Sequence, residues 1–308
     1  MNPIVAEIFP VMAKFFKNDF LEARALLDYK WFVVPLKEED PNDQNIFKKS
    51  IDDFVNLCAT EGRENVIQPE NFPLPFEKFF MVFELIPKNN NRTFAFDVTQ
   101  ITRHENRIYT TQYNLVRVNN ALKVVPCVNA EFLGYSRDNH GFFKFHIWPA
   151  KKSHIKTEDL TKGYLFFPKE LRLNCDGPLP DGDTLMDCYS NTAYNALVCS
   201  TYGMFGPISE TLHYHATTNP DPIRNAQKIA RGNRPKFEWV SSVIEPRTTA
   251  PALVLHRGGT HASPKPHERR AHFRRLKSGK SVLVRSTVIN KDKMGDRGFV
   301  FHDYELSA

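Results

Sequence analysis

FFMVFELI (79–86), RTFAFDVTQI (92–101), RIYTTQYNLVRV (107–118), ALKVVPCV (121–128), EFLGY (131–135) and FFKFHIW (142–148) decide the fold. These runs are rich in aromatic and β-branched residues, and their apolar spacing shifts toward the period of two that marks a strand with one buried face. PKNNN (87–91) is a turn, so the first two runs read as a hairpin. Asn119-Asn120 tolerates positive φ and joins the third run to the fourth. RDNHG (137–141) is a turn before the last run. The region reads as a meander of about six antiparallel strands.

Working outward, residues 11–29 predict one amphipathic helix. Met12, Phe16, Phe20, Ala23 and Leu27 recur at helical spacing, and Pro10 suits the first turn. Trp31-Phe32-Val33-Val34 predicts a short strand stopped by Pro35. Asp43 is placed to cap a second helix running to about Cys58. Downstream, residues 184–205 predict a long helix with a stripe of Met186, Tyr189, Ala193, Ala196, Leu197 and Tyr202. Asp181, Asp183 and Asp187 flank its start and read as caps. A short basic helix is expected over 222–231, and strands over 237–245, 252–257, 282–289 and 298–306.

Helices that precede a block of consecutive strands give the α+β class. The expected architecture is a pair of N-terminal helices with an antiparallel meander sheet, a central helix, and a small C-terminal β unit carrying a basic loop. The expected division is an α+β domain over 1–206 suited to peptide or protein recognition, a connector over 207–232, and a small basic β domain over 233–308. A chain of 308 residues has room for about two domains. No apolar run is long enough to span a bilayer, and MNPIVAEIFPVMAKFF has no basic leader region, so no membrane association is expected. The five cysteines (58, 127, 175, 188 and 199) are scattered with no CxxC pair. That pattern predicts reduced thiols in a cytoplasm and no cysteine-based zinc.

Charge is distributed unevenly. Residues 224–285 hold fifteen basic and three acidic side chains, a net +12, whereas the whole chain is +6 and the remainder is therefore about −6. Concentrated like charge repels itself, and a polyanionic partner, RNA above all, offsets that cost. The densest part is HRGGTHASPKPHERRAHFRRLKSGKSVLVR (256–285), of which 258–281 is read as a loop held on strands. From His261 to Gly279 its grammar is H-x-x-x-x-x-H-x-R-R-x-H-x-R-R-L-x-x-G. The candidate nucleic-acid contacts are Arg257, Lys265, His267, Arg269, Arg270, His272, Phe273, Arg274, Arg275, Lys277, Lys280 and Arg285. The guanidinium pairs suit phosphate oxygens, and Phe273 offers a stacking face for a base. If RNA is cleaved here, His267, His272 and His256 are the acid–base candidates. The His261, His267 and His272 spacing fits no familiar metal site, so none is expected. The sequence has no Walker, dinucleotide, HExxH or GxSxG motif, and no cofactor is expected.

At SPKPHERRAHFRRLKSGK, followed by SVLVRSTVIN, the chain resembles the tail of a type V-A anti-CRISPR family. That tail reads basic-Pro-His-x-Arg-Arg-Gly-His-aromatic, then a glycine-containing turn and a strand. Lys265, Pro266, His267, Arg269, Arg270, His272 and Phe273 match in turn, with Ala271 where the family has Gly. The N-terminal helix and the step from Lys30 to Pro35 are also similar. The resemblance implies a phage or mobile-element protein acting in a bacterial cytoplasm. It would recognise a defence protein's nascent polypeptide and trigger loss of its mRNA, with the basic loop facing RNA or the ribosome. The residues leave two alternatives open, a ribonuclease using the C-terminal histidines and an inhibitor that binds a folded defence protein directly.

Overall fold

A computed structural model of the chain describes residues 2–17, 19–35, 66–85, 94–118, 121–136, 142–165, 177–179, 182–205, 208–214, 239–244, 267–278, 281–290 and 301–306, for some of them the backbone alone. The helices expected over 43–58 and 222–231 and the strand expected over 252–257 lie outside these residues.

The content is mixed, with few helices and one large, mainly antiparallel sheet. The helices are α1 (Pro3–Phe15), α2 (Phe20–Asp28) and α3 (Leu185–Phe205). The strands are β1 (Lys30–Val34), β2 (Val66–Ile67), β3 (Lys78–Glu84), β4 (Phe94–His104), β5 (Arg107–Val118), β6 (Ala121–Ser136), β7 (Phe142–Pro149), β8 (Tyr164–Leu165), β9 (Gly177–Pro178), β10 (Ile208–Tyr214), β11 (Trp239–Ile244), β12 (His267–Arg269), β13 (His272–Arg275), β14 (Ser281–Val284), β15 (Thr287–Ile289) and β16 (Phe301–Leu306). The main sheet runs β10-β11-β16-β1-β3-β4-β5-β6, with β7 on the outer side of β6. β2 pairs with Tyr135 and Ser136 and so continues the row of β5 past its first residue. Strands β11, β16, β1 and β3 are mutually parallel, and β3 to β7 form the antiparallel meander.

The single helix expected over 11–29 is two helices. Asn2 starts α1 by accepting from the Ile4 N–H at 2.9 Å, and Pro3 occupies the first turn, so Pro10 falls inside the helix. Asp19 starts α2 by accepting from the Glu22 N–H at 3.2 Å. A side chain that satisfies a free amide in this way competes with continuation of the preceding helix. The runs 121–128 and 131–135, expected as separate strands, form the single strand β6. Its curvature is absorbed by register shifts opposite Gln112 and beside Gly134, whose φ is +133°. Gly134 is needed there because a Cβ would lie 3.1 Å from the Ile67 carbonyl oxygen. The meander therefore has five strands.

Both faces of the sheet are covered. On one, Val5, Ile8, Phe9 and Met12 of α1 meet Trp31, Val33, Phe80, Val82, Val98 and Leu115. On the other, Ala196, Leu197 and Cys199 of α3 share a core with Phe32, Met81, Ile101, Phe132 and Tyr304. β1 is accordingly buried at every position, as a strand flanked by parallel neighbours requires. Rings at paired positions of adjacent strands stack: Trp31 on Phe80 at 4.5 Å and Phe32 on Tyr304 at 4.8 Å. At the start of α3, Thr184 and Asp187 bond reciprocally, the cap expected of Asp187. Tyr189, Ala193, Ala196 and Leu197 are buried as expected, but Met186 is 38% exposed and lies off that stripe.

The strands expected in one small C-terminal β unit are divided. β11 and β16 enter the main sheet beside β1, because an apolar parallel strand needs hydrogen-bonded neighbours on both edges. The expected strand over 282–289 breaks into β14 and β15. Among the described residues no helix is long and apolar enough to cross a membrane.

Candidate nucleic-acid interface

The stretch read as a basic loop contains a hairpin. β12 pairs with β15 and β13 with β14, both antiparallel. The two ladders share one register: His267 faces Ile289, Arg269 faces Thr287, His272 faces Val284 and Arg275 faces Ser281. They are successive halves of one two-stranded ribbon, interrupted at 270–271 and 285–286.

The interruption is where the ribbon is fastened to the body. Ala271, 1% exposed, donates its N–H to the Pro75 carbonyl at 2.9 Å. Arg285 donates to the Glu70 carbonyl at 2.9 Å. Beside them the Glu268 carboxylate lies 3.7 Å from the Lys30 ammonium, which is buried at the start of β1. Burial lowers the pKa of Lys30 and raises that of Glu268, and each partner partly offsets the other's shift. The receiving surface, residues 69–77, is itself braced by Arg103. Its guanidinium donates to the carbonyls of Phe72 and Pro69 and lies 3.7 Å from Glu77.

Arg269 ends β12, whereas Arg270 falls in the interruption beside the buried Ala271, so the two are not alternating positions of one strand. Arg269 is exposed, whereas Arg270 is turned inward, and burial lowers its pKa against the opposing influence of Tyr304. Arg274, Lys277 and Arg285 are exposed. Leu276 and Val282 are also solvent-facing, at 39% and 40%. His272 has both ring nitrogens engaged locally: Nε2 accepts from Arg269 at 3.2 Å, and Nδ1 faces the Arg270 carbonyl at 3.4 Å. That arrangement fixes one tautomer and ties the ring to the ribbon.

Of the remaining sequence candidates, His267, Phe273 and Arg275 lie on the ribbon strands, described there by their backbone alone. Arg257, Lys265, Lys280, His256 and His261 lie outside the described residues. Among the described residues no three His, Cys, Asp or Glu side chains come together as a metal site. Cys127, Cys188 and Cys199 are not in disulfides.

Sequence reasoning missed the anchor made by Lys30 and Glu268. The signal was present, since Glu268 is the single acid in the basic run and Lys30 immediately precedes the most apolar strand. No protein-family model, curated protein or solved structure matches this chain.

Proposed function

We propose that this chain binds RNA through the exposed cations of the ribbon. In the fuller reading it is a mobile-element protein that recognises a defence protein's nascent polypeptide and brings about loss of the corresponding mRNA. The observation that carries RNA binding is a cationic ribbon fastened at its middle by buried contacts, which leaves Arg269, Arg274, Lys277 and Arg285 in solvent. Side chains on a fixed scaffold lose less entropy on meeting phosphate than those on a free loop. The nascent-polypeptide step rests on the resemblance of the tail and the N-terminal segment to the anti-CRISPR family.

The test is binding of labelled RNA across a salt series. Wild type should lose affinity steeply as salt rises, through release of counterions from the phosphates. Arg269→Ala and Arg274→Ala should each flatten the logarithmic slope by about 0.7–0.9. Arg270→Ala should leave the slope unchanged, since that group faces inward. No salt-dependent binding, or equal effects of Arg270 and Arg274, would overturn the reading. RNA cut by the purified protein would replace it with a ribonuclease.

A further inference from the structure

A second polar feature lies beneath α3, on the sheet face opposite α1. On β4 and β5, Asp97 pairs with Asn114, and Thr99 with Gln112. Paired residues of an antiparallel ladder project from the same face with their Cβ atoms about 5 Å apart. Thr110 follows two positions before Gln112 on that face. Thr99, Thr110 and Gln112 are at most 1% exposed.

These side chains are not satisfied by the protein. Gln112 donates its Nε2 to the Tyr189 carbonyl of α3 at 2.9 Å. That bond fixes the amide orientation and turns Oε1 away from the helix backbone. Oε1 of Gln112, Oγ1 of Thr99 and Oγ1 of Thr110 then have no hydrogen-bond partner among the described residues. Three orphan oxygens at adjoining positions call for a bound species, because a buried polar group without a partner costs about 1–3 kcal/mol.

The donor set selects the species. All the groups are hard oxygens, and they carry one formal negative charge, that of Asp97. Calcium and magnesium sites recruit more carboxylate or phosphate than this, whereas one carboxylate with neutral oxygens balances a single positive charge. Asp97 retains a partly solvent-facing edge, which supplies a route of entry. Burial pushes its carboxyl up to about 7, with no cationic side chain of the described residues offsetting it. The other titratable groups facing it are Cys127 on β6 and Tyr189 on α3, both kept neutral by burial.

We propose that Asp97, Thr99 and Gln112 bind a monovalent metal cation, Na+ or K+, beneath α3, with Thr110 at the margin of the site. The cation neutralises the carboxylate and satisfies the orphan oxygens in one step, locking α3 to the meander through Gln112.

The experiment is thermal unfolding of the full chain at pH 8 in NaCl, KCl or tetramethylammonium chloride at equal ionic strength. Tetramethylammonium carries its charge behind four methyl groups and offers no position for an oxygen ligand. A dissociation constant of about 10 mM would raise Tm by about 2 °C at about 0.1 M Na+ or K+. Asp97→Asn should abolish the difference between salts, and Thr99→Val, nearly isosteric, should reduce it. Both variants keep the side-chain volume, and ²³Na relaxation read alongside distinguishes lost binding from a lost fold. Identical melting in all three salts, or an Asp97→Asn variant that still distinguishes them, would overturn the proposal in favour of buried water.

Discussion

Replacing Glu268 with Ala should loosen the basic ribbon from the sheet and lower the stability of the whole chain. Lys30 is 4% exposed and its ammonium lies 3.7 Å from the Glu268 carboxylate, whose side chain is 17% exposed. At an effective dielectric of about 20, that separation corresponds to an attraction of about 4 kcal/mol. Removing one partner of a buried pair costs about 3–5 kcal/mol, since the other charge is left without compensation. The partial exposure of Glu268 reduces this to about 2–4 kcal/mol, or roughly 3–6 °C in Tm for a chain of this size. Lys30→Met combined with Glu268→Leu removes both charges and should restore stability to within about 1 kcal/mol of wild type. The assay is a double-mutant cycle from thermal or urea unfolding, read together with hydrogen exchange at β12 and β15. Effects of the single substitutions that simply add in the double would refute the anchor.

The pH dependence of Glu268→Ala has a definite sign. Burial places the folded-state pKa of Lys30 below its ordinary value of 10.5, so over that window the unfolded chain holds more protons. The cost of the buried ammonium is therefore full below the depressed folded-state pKa and shrinks as pH rises from there to 10.5.

Asp97 behaves in the opposite sense. Its pKa rises from 3.8 to about 7 on folding, so the folded chain holds the extra proton between those values and stability falls as pH rises through them. Asp97→Asn should thus raise Tm at pH 8 by the equivalent of about 2–4 kcal/mol and change it little at pH 4, measured in tetramethylammonium chloride. Gly134→Ala should destabilise by about 1–3 kcal/mol, from a φ of +133° and a Cβ 3.1 Å from the Ile67 oxygen, with exchange protection of β2 lost first. Wild-type stability in that variant would show that the bend is not confined to Gly134.

Local periodicity made much of the meander legible, and β5 matches the residues 107–118 read from its alternation. The same reading split β6, because Gly134 resembles a turn residue, whereas here it allows a long strand to bend between Ile67 and β7. The partners of β1 were not legible. Residues 30–34 and 301–306 each read as strands, but nothing local says that they lie side by side, since parallel pairing leaves no turn between partners. In the basic segment, the Val alternation over 282–289 was legible as a strand and forms β14 and β15, while the composition of 258–281 pointed to a loop and hid their partners β12 and β13. Arg269 and Arg270 part because β12 ends at Arg269, and the interruption that follows turns Arg270 and Ala271 toward the body.

The placement of β16 between β1 and β11 bears on how the protein is made. Synthesis is vectorial, and β1 and β3 leave the ribosome long before residues 301–306 exist. Until then β1 has an open edge on one side, β11 has no parallel neighbour, and the Asn2 N–H lacks the Asp303 carboxylate that it later meets at 3.0 Å. The meander can assemble during translation, but the centre of the sheet closes only after residues 301–306 have emerged. Contacts so distant in sequence form slowly. In the interval, Trp31, Phe32 and Val33 present an unpaired apolar strand edge, the stretch a nascent-chain chaperone would most readily cover.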